Sequence, residues 1–348
     1  MNGSLFRSEI REQPAAIERL IERRDDFAQV ADRIAERAPD AIRLVGHGSS
    51  DNAASYGVYV FGLLPGWTAF RDSISLATYY EADVDVSRSV VLALSQSGRT
   101  PDVLDYVERA RARGAFTIAV TNEPGSELGR AADAVLPLEA GPEQSVAATK
   151  TYTNQLAALA LLAGAAAGRG DEIAGALGET AARLAGTIPQ LESAVGTIAV
   201  QFAFVGRMFV VGRGLEFATA REVALKLTET CRVAAEPLTA TDLAHGPIAA
   251  LDPLFPVWTI ASRDASLPAA VDAAARAREA GATILASGSA ASEIEGAAYT
   301  LSVPDAPNKL LAPILSIVPG QLFAAALADA KGLDPDRPNR LSKVTLAR

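Results

Sequence analysis

One cysteine, Cys231, and two histidines, His47 and His245, are all that the 348 residues contain of either type. A lone thiol cannot close an internal disulfide, and it fits a reducing compartment. A Cys/His zinc site would need a ligand set the chain hardly has, so neither a metal nor a cofactor is expected. Positive charge is in the minority. Against 41 Asp and Glu stand 32 Lys and Arg, a net charge of −9 whose field repels nucleic acid and anionic membranes. The N-terminus, MNGSLFRSEIREQP, carries charges where a signal peptide needs an apolar stretch. Apolar runs such as Leu156–Ala167 fall short of the ~20 residues of a membrane span. These absences predict a cytoplasmic protein with neither a nucleic-acid nor a membrane partner. Apolar residues, by contrast, make up 49% of the chain, ample for a large core, and at ~150 residues per domain the length divides into about two.

The chain repeats itself once, at an offset of 212 − 46 = 166 residues. Ile42–Val45 is a short β-like run ending in Gly46-His47-Gly48-Ser49-Ser50; Met208–Val211 ends likewise in Gly212-Arg213-Gly214-Leu215-Glu216. Val90–Leu94 runs into Ser95-Gln96-Ser97, as Val257–Ile260 runs into Ala261-Ser262-Arg263. Gly114-Ala115 parallels Gly281-Ala282 one residue further on, at 167, while Ser126-Glu127-Leu128 parallels Ser292-Glu293-Ile294 and Ala131-Ala132 parallels Ala297-Ala298 at 166. Within each copy, Val/Ile/Leu-rich runs alternate with helical periodicity, the signature of βαβ units on a parallel sheet. The helix Pro101–Arg113 is one example: Pro101 suits a first helical position, and Val103, Leu104, Val107 and Ala110 form its apolar stripe. The expected fold is therefore α/β, with two tandem doubly wound parallel-sheet domains. An entry segment occupies 1–30, the domains 31–185 and 200–335, and a tail 336–348 lies over the site. Between the domains come Ala-rich helices (Thr151–Ala167, Asp171–Ala185), then Pro189 and a boundary near 186–200.

Three segments carry candidate chemistry. Ser95-Gln96-Ser97-Gly98-Arg99-Thr100-Pro101 delivers three hydroxyls and an amide from a strand to a helix start. Unpaired N–H groups and a partial positive charge at that end suit an anion such as phosphate. Simple N-capping is the bland alternative, but capping needs only one hydroxyl. Gly48-Ser49-Ser50, after another strand, supplies a second wall. Gly141–Thr151 again gathers polar residues at a strand-to-helix turn, where capping by Thr149 or Thr151 explains them equally well. In the helix Thr219–Thr230, Glu222, Lys226 and Glu229 form a charged row, and the residues alone favour a solvated ion-pair row. His245, before Gly246-Pro247, sits in a turn near carboxylates, a frequent place for acid–base groups. His47 reads as a space-filler under its turn.

Taken together, Ser95–Thr100, Val146–Tyr152, Ala224–Glu229, His245-Gly246-Pro247 and Leu341-Ser342-Lys343 resemble the sugar isomerase (SIS) domains of glutamine–fructose-6-phosphate aminotransferases. The segment Glu9–Pro14 resembles the entry into that isomerase half, and the likeness covers nearly the whole chain in order. It implies two SIS domains and a homodimer with sites near the subunit interface. By the resemblance the sequence corresponds to the isomerase half, and the glutaminase domain that precedes that half in the family is not expected. An isomerase half of this kind resembles SIS-type glucosamine-6-phosphate deaminases, which release fructose 6-phosphate and ammonia. By the resemblance, Ser50, Ser95, Gln96, Ser97 and Thr100 contact a sugar phosphate, and Glu222 and Lys226 line the site. Glu229 is the base that moves a proton between C2 and C1, and His245 opens the ring, reaching the neighbouring subunit's site. Lys343 forms a Schiff base with an open-chain ketose. Without the family pattern, Lys343 reads as a solvated tail charge. Val146, Ala148 and Ser342 border the pocket. Ala148 stands for a serine, Ser342 for an alanine, Arg99 for an acidic residue and His47 for a small one, so the sugar epimer and N-substituent stay open. A phosphosugar isomerase, a fructosamine-6-phosphate deglycase and a non-enzymatic sugar-phosphate sensor are the alternative readings.

Overall fold

In a computed structural model, residues 3–343 are described, and they gather into two compact units. The first comprises Ala15–Glu143, Lys150–Gly178 and residues 342–343. The second comprises residues 3–14, Gln144–Thr149 and Glu179–Leu341.

Five parallel strands form the sheet of the first unit: β1 (Ala41–Val45), β2 (Ala69–Arg71), β3 (Ser89–Leu94), β4 (Phe116–Thr121) and β5 (Ala134–Pro137). Their order is β2-β1-β3-β4-β5. Every residue of β3 and β4 is buried, as expected of strands with helices on both faces. Val91, Ala93 and Ala119 pack with Val103 and Val107, the apolar stripe of the helix Pro101–Ala112.

The second unit repeats this plan with β6 (Arg207–Gly212), β7 (Ala234–Thr239), β8 (Pro256–Ile260), β9 (Thr283–Gly288) and β10 (Tyr299–Ser302). The order is β7-β6-β8-β9-β10, all parallel. Counted within its own copy, each sheet reads 2-1-3-4-5, a doubly wound order whose switch point lies between the first and third strands. The register across that point is also shared. Ala41 pairs with Ser89 and Phe209 with Val257, a step of 48 residues in both. Pro237 is tolerated in β7 because that strand is an edge. The helices Glu216–Cys231 and Ala312–Ala330 approach closely at Gly320, where any Cβ would collide with Val223.

Two expectations need correction. The boundary expected near 186–200 falls largely within one helix, which runs from Gly170 to Ala199 with Pro189 inside it. Pro189 cannot donate to the carbonyl of Ala185, but both residues are exposed, which leaves the freed group within reach of solvent. The second concerns apolar length. Residues Lys309–Ala330 are long and apolar enough to cross a bilayer, although 83% of the relevant window is buried inside the protein. The helix Ala312–Ala330 is a core helix of the second unit, with Ile314, Leu315, Ile317, Val318 and Phe323 all buried.

Candidate functional site

At the switch point of the first sheet, the turns after β1 and β3 lie side by side in the strand order. The β3 turn is shaped by Ser95, whose buried hydroxyl accepts the N–H of Gly98 at 3.1 Å and lies 3.2 Å from Thr100 Oγ1. Gly98 adopts φ +61°, and a Cβ there would come within 2.6 Å of Ser126 Cβ. A glycine is therefore required. The Gln96 carbonyl is braced by Thr121 Oγ1 (3.3 Å) and by the N–H of Asn122 (3.2 Å), beyond β4. Across the switch point, Ser50 Oγ accepts from Gln155 Nε2 at 2.9 Å.

Capping does not explain this loop. Thr100 is the N-cap of the helix Pro101–Ala112, yet no side-chain cap bond forms there. Its hydroxyl faces Ser95 instead. The one carboxylate in the first turn, Asp102, takes the N–H of Val103 and lies 2.6 Å from His47 Nε2. His47 is thus no buried space-filler: its side chain is half exposed and pairs with Asp102. What remains around the turn is Ser97, Gln96 and Thr100, half-buried, with Arg99 exposed beside them. Such an array of hydroxyls, an amide and a helix N-terminus can hold an anion.

The next strand-to-helix turn holds a residue the sequence reasoning passed over. Glu143, its side chain fully buried, caps the helix Lys150–Ala166 by accepting the Thr151 N–H at 3.1 Å and the Thr151 hydroxyl at 2.7 Å. The same carboxylate meets Lys343 Nζ at 2.7 Å. Thr151 is therefore the capped group and Glu143 the cap, a partner eight residues upstream that threonine-cap patterns do not reveal. Lys343 is correspondingly no solvated tail charge. Ser342 beside it is exposed, and residues 344–348 of the expected tail lie outside the described residues.

In the second unit, the loop Gln144–Thr149 carries Val146 and Ala148, both half-buried. The buried carboxylate of Glu9 accepts the N–H groups of Gln144 and Ser145 and the Ser145 hydroxyl. Asp336, where the expected tail begins, caps the helix Ser4–Arg11 through the N–H groups of Leu5 (3.2 Å) and Phe6 (2.7 Å). Its carbonyl also accepts the Val146 N–H at 3.1 Å.

The charged row of the helix Glu216–Cys231 is not solvated. Lys226 and Glu222 are completely buried, with Nζ 3.3 Å from Glu222 Oε1 and 2.5 Å from Glu229 Oε2. Glu229 alone reaches the surface, its side chain 23% exposed. Burial on its own would depress the Lys226 ammonium. The two carboxylates outweigh it and hold the group well above the ordinary lysine range. One partly exposed carboxylate is thereby backed by a permanent buried cation, an arrangement that can pass a proton at a fixed position. His245 follows the short helix Ala240–Ala244, exposed, in the turn before Gly246. No contact joins it to the Glu222–Lys226–Glu229 cluster among the described residues. No group of three His, Cys, Asp or Glu suited to a metal occurs among them either.

The SIS domain model matches residues 37–165 and 201–328. The glutamine–fructose-6-phosphate aminotransferase of Pyrococcus horikoshii is 36% identical over 96% of this chain, which spans 56% of that relative's length. The chain thus spans about half the length of the curated relatives it matches. A Silicibacter pomeroyi structure named as a candidate phosphosugar isomerase superposes with a TM-score of 0.85 at 32% identity, covering 97% of this chain and 100% of that one. Glucosamine-6-phosphate deaminase from Thermotoga maritima superposes with a TM-score of 0.79 over 99% of this chain and 100% of its own. At 22% identity that last likeness is one of fold.

Proposed function

Since the chain belongs to the SIS-domain family, we propose that it is an enzyme converting glucosamine 6-phosphate and water to fructose 6-phosphate and ammonia. In this reading the phosphate and sugar are held by Ser50, Ser95, Gln96, Ser97 and Thr100. His245 carries a proton between the ring oxygen and O1, which frees an aldehyde at C1. Glu229 removes the proton from C2 and returns it to C1. In the same step O1 takes up a proton and the nitrogen gives one up, so that C1 becomes a hydroxymethyl group and C2 a ketimine. Water then adds at C2, the C–N bond breaks and nitrogen leaves as ammonia. Lys343, anchored by Glu143, is the amine available to an open-chain ketose. The pairing of Glu229 with the buried ammonium of Lys226 is the observation that supports this reading most, because it fixes the position of a part-exposed carboxylate.

Incubation with glucosamine 6-phosphate, with ammonia and fructose 6-phosphate both measured, tests the reading. Glu229→Gln lowers kcat by roughly 10²- to 10⁴-fold and leaves fructose 6-phosphate binding unchanged. A folded protein that releases neither product defeats it. The full-length likeness to a candidate phosphosugar isomerase favours a second reading, aldose–ketose isomerisation without ammonia. Turnover of glucose 6-phosphate to fructose 6-phosphate separates the two. The proposal also takes the chain to be a homodimer in which the exposed His245 serves the neighbouring copy; a monomer mass by light scattering counts against that part.

A further inference from the structure

Both sheets have a switch point of the same order and register, so both offer the place where an open α/β sheet binds ligands. The repeat offset equates Gly212–Glu216 with Gly46–Ser50 and Ser262 with Gln96. It also holds in the last helix of each copy, where Gln155-Leu156 equates with Gln321-Leu322 and Lys150 therefore with Ser316. At these matched positions the two copies differ in charge. The first has Ser50 on the β1 turn and a fully buried lysine, Lys150, on the helix. The second has a buried carboxylate, Glu216, on the β6 turn and a buried serine, Ser316, on the helix.

The Glu216 carboxyl group lies across the second switch point. Its Oε1 accepts the hydroxyls of Ser262 (2.5 Å), at the end of β8, and Ser316 (2.9 Å). Its Oε2 accepts the hydroxyl of Thr219 at 2.6 Å. Glu216, Thr219, Ser262 and Ser316 are all buried. The hydroxyls that would face an incoming anion are thus already donated to an oxygen pair belonging to the chain. Burial pushes the Glu216 carboxyl upward, and these three hydroxyls act against it. Asp264, close by, would further oppose a second negative group.

We propose that Glu216 is a built-in substitute for the ligand anion, which closes the second switch point and leaves one phosphosugar site per chain, in the first copy. The inference rests on the phosphosugar reading only for the identity of that one ligand. Calorimetric titration of the full chain with fructose 6-phosphate gives the count. One site is expected in the unaltered protein and none in Ser97→Ala/Thr100→Val. The transplant Glu216→Ser/Ser316→Lys, which gives the second copy the residues of the first, is expected to bind two. Two sites in the unaltered protein overturn the inference, and so does a folded transplant that still binds one. If the transplant does not fold, the Ser97→Ala/Thr100→Val protein decides: loss of binding supports the inference and a retained site overturns it. No binding by the unaltered chain but one site in the transplant would sink the phosphosugar reading of the first copy while upholding the role of Glu216. No binding by either would overturn both.

Discussion

Replacing Lys226 by methionine removes the ammonium from between two carboxylates and keeps much of its apolar volume. Glu222, with no exposure at all, would then keep its buried charge without the Lys226 ammonium. Breaking a buried pair in this way costs about 3–5 kcal/mol, because the abandoned partner keeps its desolvation penalty and loses its compensation. Against a total stability of roughly 5–15 kcal/mol that is a large fraction. At a urea dependence of about 1–3 kcal/mol per molar, the midpoint should fall by on the order of 2 M. The right reporter is in the same unit: Trp258, fully buried in β8, while Trp67 belongs to the other and can be silenced as Trp67→Phe. Two further variants test the cause. Lys226→Met/Glu222→Leu removes the stranded carboxyl too and should recover most of the loss. Glu229→Gln leaves Lys226 its buried partner and loses only a part-exposed one, so about 1 kcal/mol is expected. A Lys226→Met protein within 1 kcal/mol of the original, or a double variant no better than the single one, refutes the reasoning.

Other outcomes follow from the same geometry. Gly98→Ala sets a Cβ against Ser126 on a backbone at φ +61°, and should cost about 1–3 kcal/mol in thermal unfolding while weakening fructose 6-phosphate binding. Burial pushes the Cys231 thiol up to about 11, so native protein at pH 8 should resist thiol reagents that label it quickly once unfolded. The linked sign is fixed: above pH ~8.5 the unfolded thiol ionises while the folded one holds its proton, so this contribution falls as pH rises toward 11. Cys231→Ala should flatten that part of the pH–stability curve. Glu143→Gln removes the charge that meets Lys343, and borohydride trapping of fructose 6-phosphate on that lysine, read by mass spectrometry, should drop well below the level in unaltered protein.

The fold was legible because its signals are local and occur twice. The buried strands are short runs rich in Val, Ile and Leu, and an offset of 165–167 residues aligns those of the two copies. The run Val90–Leu94 reads as a strand and Ser89–Leu94 is one; the helix from Pro101 ends at Ala112, within a residue of its expected stop. Pro189 misled because a proline marks the loss of a donor and does not reveal whether water can replace it. The i,i+4 spacing of Glu222 and Lys226 looks the same on a wet surface and in a core, so only packing could show that the row is buried. Glu143 and Lys343 stand 200 positions apart, and no periodicity connects them.

The two copies show why repeat and function have to be judged separately. Strand order and the register across the switch point are set by buried apolar residues and are the same in both sheets. The chemistry depends on very few positions that the apolar pattern leaves unconstrained. A serine at 50 and a carboxyl group at 216 are equally compatible with the strand-to-helix turn that follows a first strand, yet only at 216 does the turn residue itself supply an acid to neighbouring hydroxyls. Likewise, the lysine buried at 226 lies against two carboxylates, while the matching position in the first copy, Val60, is apolar and needs none. The hydroxyl-rich turn proposed to recognise an anion and the buried ion-pair cluster therefore fall in different copies of one fold, and the proposed function draws on both.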